Sequence, residues 1–213
     1  MNVDGVIIEA RSITRDESYD DAWMVERINA GLQEIAALFP IPGLSATDTV
    51  SALTTINNVP MPSDFHHDLY LATTETYPNG LVLSPNLKDL IAQTDQEETG
   101  DVRQVAVEFQ TLYYSPIPSE AAETITLYYY KNPTAITLVS DLPTWIPVHL
   151  QKALMVNYLT KELFSQIEEG IDGQTPNTAK YSNLYAQALM LLERFYPHAS
   201  KPKYQITSTP VWF

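Results

Sequence analysis

Cysteine is absent from the 213 residues, glycine is scarce at 7, and Lys and Arg number only 12 against 26 Asp and Glu. Each shortage removes a class of function. Without thiols there is no disulfide, no thiolate nucleophile and no Cys-ligated metal. So few glycines leave no Gly-rich loop to cradle a phosphate, and no Ser sits in a Gly-x-Ser-x-Gly turn. A net charge of -14 gives no electrostatic grip on nucleic acid, because the basic residues are scattered and the densest pair is Lys201 and Lys203 around Pro202. Beside DNA such a chain acts as a wall that repels the duplex. No stretch approaches ~18 consecutive apolar residues, so no membrane span is expected. The opening Met1-Asn2-Val3-Asp4 lacks the basic and apolar regions of a signal peptide, and a cytoplasmic origin is the default expectation.

What the chain does hold is a large apolar fraction, 45%, enough for one sizeable domain or a domain with an insertion. Charged residues make up 18%, below the usual quarter, and Thr, Ser, Asn, Gln and 13 Tyr fill the gap. A polar, uncharged, Tyr-rich surface suits protein contacts. Tyrosines also populate strands, so both uses stay open.

The hydrophobic period divides the chain into helices, strands and helices again. Val3, Val6, Ile7, Ala10 and Ile13 share one face of a first helix. Asp20 or Asp21 caps a second, with the stripe Met24, Ile28, Leu32, Ile35 and Phe39, stopped by Pro40 and Pro42. Strand texture follows at Thr49 to Asn57. Asp68 to Tyr77 and Leu81 to Ser84 flank Pro78-Asn79-Gly80, a hairpin signal. Pro85 opens a short helix with Leu87, Leu90 and Ile91 inward. Val105, Val107, Phe109, Thr111 and Tyr113 alternate as one strand; Ile125, Leu127 and Tyr129 alternate with Thr126, Tyr128 and Tyr130 as another. Residues 144–168 read as a helix, with an apolar period from Leu150 to Ile167. Gly170, Asp172 and Gly173 form a loop. Thr175-Pro176 then starts a last helix along Tyr181, Leu184, Ala188, Leu191 and Phe195. The expected fold is α+β. A four-helix bundle, from 1–42 and 143–196 with Leu154, Leu184, Leu191 and Phe195 buried, carries a β-rich antiparallel insertion over 43–142.

Residues 197–213 have no helical period and are expected to form an extended C-terminal arm. Tyr204-Gln205-Ile206-Thr207-Ser208-Thr209 alternates bulky and polar residues, as a strand added to an open sheet edge does. Tyr204, Ile206, Val211, Trp212 and Phe213 are the candidate partner-binding residues, since aromatic anchors dominate interface energetics. The alternative is that the arm folds back on its own core.

Chemistry finds little purchase. His66-His67-Asp68 is the only His pair, and adjacent strand residues point to opposite faces, so a surface loop is expected rather than a metal site. His149 and His198 have no carboxylate at ligand spacing. Glu162, Glu168 and Glu169 sit near a helix end, where a solvated face is expected. Tyr128, Tyr129 and Tyr130 could stack bases, but no basic residues flank them closely enough to favour that over strand packing. Neither a cofactor nor a metal is expected.

Four segments together resemble the phage head-to-tail adaptor (connector) family. They are Val6-Ile7-Ile8-Glu9-Ala10-Arg11 through Trp23 to Ile28-Asn29-Ala30-Gly31-Leu32-Gln33-Glu34-Ile35; Val59-Pro60-Met61-Pro62-Ser63-Asp64-Phe65; Tyr114-Ser115-Pro116-Ile117-Pro118 followed by Ile125-Thr126-Leu127-Tyr128-Tyr129-Tyr130-Lys131-Asn132-Pro133; and Leu142-Pro143-Thr144-Trp145 with Ala153 and Tyr158 beyond. The resemblance spans roughly residues 5–195 and brings no catalytic residues. It implies a virion structural protein, assembled in the host cytoplasm, that forms a twelvefold ring beneath the portal at the head-tail interface. Its helices would dock on the portal protein, its strands would face tail or nozzle proteins, and DNA would pass through without specific binding. The arm would couple it to the portal or to an adjacent subunit. Two other readings remain: a carbohydrate-handling or hydrolytic phage protein using Asp64 or Glu75, and another neck or tail structural subunit.

Overall fold

A computed structural model describes residues 2–95, 98–141, 143–168 and 175–196. The first helix, α1 (Val3–Thr14), starts where the Asn2 side chain accepts the Gly5 N–H at 3.1 Å. Asp4 in its first turn and Arg11 in its last match the helix dipole. Val3, Val6, Ile7 and Ala10 are buried, as their spacing demands. In α2 (Asp21–Leu38), Asp20 caps the Trp23 N–H at 2.7 Å, and Met24, Ile28, Leu32 and Ile35 face inward. Phe39 and Pro40 leave the helical conformation, and one 3-10 turn at Pro42–Leu44 leads into the strands.

Two further helices complete the helical layer: α4 (Val148–Glu168) and α5 (Pro176–Phe195), with the short α3 (Leu87–Gln93) lying among the strands. α4 is central, packing against α1, α2 and α5. It begins at Val148 rather than Thr144, because Pro147 disfavours helical backbone at Ile146. Residues 143–146 instead make a turn, Ile146 N–H to Pro143 C=O, and the buried Gln151 amide donates to both Pro143 and Ile146 carbonyls. On α5 the core stripe is Tyr185, Ala188 and Leu192, one step round from the expected face. Of the four residues expected buried, Leu154 is; Leu184 is half-buried, and Leu191 and Phe195 are exposed.

Gly31 sets how closely α2 and α4 approach. A Cβ built there would lie 2.6 Å from Tyr158 Cδ1, far inside contact distance. Tyr158 is itself held edge-on by Tyr185 at 5.2 Å. Gly31→Ala would gain up to about 1 kcal/mol of helix propensity, while overpacking costs about 1–3 kcal/mol. The expected result is a net loss of stability near 1 kcal/mol by urea denaturation, and an unchanged or higher midpoint would contradict this packing.

The strands are β1 (Ser45–Ala52), β2 (Asn58–Pro60), β3 (Phe65–Thr73), β4 (Val82–Leu83), β5 (Gln104–Glu108), β6 (Thr111–Ser115) and β7 (Glu123–Lys131). They form two sheets, β1-β7-β3 and β2-β6-β5-β4. A second core, including Phe65, Val105, Leu112, Tyr114, Ile125 and Leu127, draws residues from both sheets. Among the described residues the fold is α+β.

Several sequence expectations shift here. The first strand lies at 45–52, not 49–57, and Leu53 to Asn57 bend around the buried Tyr114 hydroxyl, which receives the Leu53 N–H at 2.7 Å. At Asn79-Gly80 the chain does turn, with Gly80 at φ 122 and Leu81 N–H reaching Ala72 C=O at 2.7 Å. Yet no hairpin ladder continues: β4 runs parallel to β5, so the insertion is not wholly antiparallel. Asn86, not a proline, caps α3; Leu90 is buried and Ile91 is exposed. The expected strand across 105–113 is a hairpin, with Glu108 opposite Thr111 and a two-residue turn at Phe109-Gln110.

Candidate interaction surface

Where the helical layer meets the sheets, polar side chains bridge the two. Asn29, amid the apolar stripe of α2, donates to Ile136 C=O at 2.9 Å and accepts Ile136 N–H at 2.8 Å. This fixes the chain leaving β7 onto α2. His67 of β3 reaches the other way. Its Nε2 lies 2.7 Å from the Ala36 carbonyl of α2, and its Nδ1 lies 3.0 Å from the Asp68 carboxylate. Both partners are acceptors, so only the imidazolium satisfies both at once. The Asp68 hydrogen bond raises the His67 pKa most; burial opposes it, and the Ala36 carbonyl and the Asp68 charge add to the rise. Hydrogen bonding to His67 lowers Asp68 in turn. For His66, burial comes first and the neighbouring His67 charge second, and both push its pKa down.

The two histidines therefore act oppositely with pH. A raised folded pKa makes His67 stabilising below its unfolded value near 6.5, and that contribution fades as pH rises through the folded value. His66, with a lowered pKa, disfavours folding on the same acidic side. Substituting His67→Gln isolates the first effect. It is expected to cost about 1–2 kcal/mol near pH 5.5 and clearly less at pH 8.5. A deficit that is flat with pH, read from melting curves, would remove the imidazolium from this joint.

His66 and His67 thus sit on a strand, not in a loop. Among the described residues, no group of three or more His, Cys, Asp or Glu could hold a metal ion. Glu168 also departs from expectation. It is buried at 6% exposure, and its carboxylate takes the Asn177 and Thr178 N–H groups at 3.1 and 3.0 Å. Burial pushes its pKa up, but the hydrogen bonds from Thr178 and Asn177 outweigh it and lower the carboxyl. Glu168 therefore caps α5, where the Thr175 side chain makes no capping bond.

The two carboxylates considered for hydrolysis are not brought together. Asp64 accepts the Tyr129 hydroxyl at 2.5 Å and, through its backbone, the Asn132 N–H at 2.8 Å, at one end of β7. Glu75 lines an open cleft of about 550 Å³ with Asp101, Glu120 and Glu123, at the other end. The strand between them spans roughly 15–20 Å, well beyond the ~5–9.5 Å of paired glycosidase carboxylates. Tyr129 points inward, and burial followed by the Asp64 contact raises its pKa. Tyr128 and Tyr130 cluster instead with Tyr70, at ring distances of 6.4 and 5.2 Å, and His67 stacks on Tyr130.

Among the exposed apolar side chains, two sets stand where the sequence pattern placed strand or core residues. Phe109 is 90% exposed at the tip of its hairpin, with φ 54. Val148, Met190, Leu191 and Phe195 are exposed where α5 ends beside the start of α4. Asn29 was open to detection as a lone amide in an apolar stripe; Phe109 was not, since neither turn residue is Gly, Asn, Asp or Pro. The candidate residues Tyr204, Ile206, Val211, Trp212 and Phe213 lie outside the described residues.

No curated protein matches the chain. A family does: the one described as SU10 adaptor protein matches residues 1–205. That span takes in all four resemblance segments and is consistent with a phage head-to-tail adaptor. With nearly the whole sequence matched, the chain belongs to the SU10 adaptor protein family.

Proposed function

We propose that this protein is the subunit of a ring that joins the portal to the tail of a phage particle and lets DNA pass. The observation that carries the reading is the adaptor-family match over residues 1–205. Its role is structural and not enzymatic, in keeping with the separation of Asp64 from Glu75. Twelve copies form the ring at the head-tail interface, assembled in the host cytoplasm. Residues 1–42 and 143–196 act as a four-helix bundle that docks on the portal, and 43–142 faces tail or nozzle proteins. Residues 197–213 are an extended arm, with Tyr204, Ile206, Val211, Trp212 and Phe213 binding the portal or an adjacent subunit.

The charge supports this role. A formal -14 per copy gives a ring whose lumen repels the duplex and keeps it mobile. Particle images of the protein mixed with its portal test the reading. Rings stacked on the portal are expected, together with no retention of duplex DNA at moderate salt in a filter assay. A persistent monomer that cleaves a polysaccharide would overturn it.

A further inference from the structure

β3 is one of the two outer strands of its sheet, and β4 covers β5 only where Val82 and Leu83 face Gln104 and Val105. Beyond that pairing, Ala106–Glu108 have β6 on one side and no strand on the other among the described residues. A groove of about 580 Å³ lies between these two edges, walled by Phe65, Leu69, Leu83, Val107 and Phe109. Phe109 stands at its rim, a bulky residue held at φ 54 with its ring in water. Left-handed backbone is rare for such a residue, and an exposed ring of that size gains its free energy only when covered. An open strand edge with an apolar margin is the setting in which an extended segment adds as a further strand.

The chain carries a segment of matching form. Residues 204–209 alternate bulky and polar side chains. Residues 197–213 include Lys201 and Lys203 and no acidic residue, so removing their +2 from the net -14 leaves -16 on the rest. Charge thus draws this stretch to the body of the same protein. Its starting point fits as well. Phe195 packs against His149 at 4.9 Å, so α5 ends at the start of α4. α2 crosses α4 at Gly31 and Tyr158 and ends at the same side, where Ala36 meets His67 beside the groove. Residues 197–203, extended, reach about 23–25 Å.

We propose that residues 204–209 of one copy add as a strand to the groove between β3 and β5 of the adjacent copy, with Phe109 closing over them. The inference rests on the ring reading, in which each subunit needs one donor and one receptor to make a heterologous contact that closes. This chain holds both.

The absence of cysteine allows a test without background. Glu108→Cys and Ser208→Cys are placed in separately tagged full-length copies, mixed, and treated with a short bismaleimide. A covalent heterodimer is expected, and adding Phe109→Ala to the receptor copy should cut its yield roughly tenfold. Val148→Cys, exposed on the helical layer, should give none when it replaces Glu108→Cys. Gln110→Cys serves as receptor if Glu108→Cys shifts the melting curve. A link to position 148 instead, a link formed only within one chain carrying both cysteines, or no link at all would overturn the proposal. Rings on the portal without the 108–208 link would sink this inference and leave the adaptor reading standing. The link without portal binding would do the reverse.

Discussion

Leu154→Ala is expected to lower the unfolding free energy by about 3–5 kcal/mol and the Tm by roughly 10 °C. Leu154 has no solvent exposure and lies on the helix that α1, α2 and α5 all pack against. Its neighbours Ile28, Ile35 and Leu159 are buried as completely, so little can move into the space a shorter side chain leaves. Leu191→Ala provides the contrast. At 43% exposure it loses less buried area and opens no enclosed cavity, so about 1 kcal/mol or less is expected. Equal melting of the two variants in a calorimeter would mean that α4 is not the centre of the helical core.

Truncation after His198 is expected to abolish attachment to the portal while shifting the melting transition of the isolated protein by no more than about 2 °C. Among the described residues, two cores already form, from Val3 to Leu192 and from Ala52 to Tyr129. The removed stretch holds Tyr204 and Ile206, proposed above to join one copy to the next, together with the proposed anchors Val211, Trp212 and Phe213, so both the ring and its contact with the portal are expected to be lost. Loss of several anchors from one interface exceeds the roughly 1.4 kcal/mol that separates each tenfold in affinity, so attachment should fall below detection. A truncated protein that unfolds, or one that still docks at full affinity, would remove the arm from the joint.

What the sequence revealed follows from how strong each local signal is. α1 and α2 were legible because each carries a single apolar stripe, joined in α2 by the Asp20 cap; the Asn2 cap of α1 emerged only in the structure. β7 was legible because Ile125, Leu127 and Tyr129 alternate with polar or larger residues through the whole strand. α5 misled because it carries two apolar stripes that share Ala188, and only packing against α4 selects Tyr185 and Leu192 over Leu191 and Phe195. In β5 and β6, inward residues change from odd (Val105) to even (Leu112, Tyr114) across Phe109-Gln110, a phase jump hidden by continuous strand-forming residues. The joint of Asn29, His67 and Ala36 depends on residues 31 to 107 positions apart, which no local period encodes.

The central position of α4 also bears on how the protein is made. α2 ends at Leu38, and its partner helix begins only at Val148. At roughly 5–20 residues per second, a ribosome takes on the order of 5–20 s to cover the intervening chain. For that interval the stripes of α1 and α2 have no α4 to lie on, and β1 likewise waits for β7, whose Tyr130 faces Ser45. The early chain is thus a long-lived, sticky intermediate, and chaperone engagement of nascent chains should peak before Val148 emerges and fall once Leu163 has cleared the exit tunnel. The helical core therefore closes only late in synthesis, after α4 has emerged.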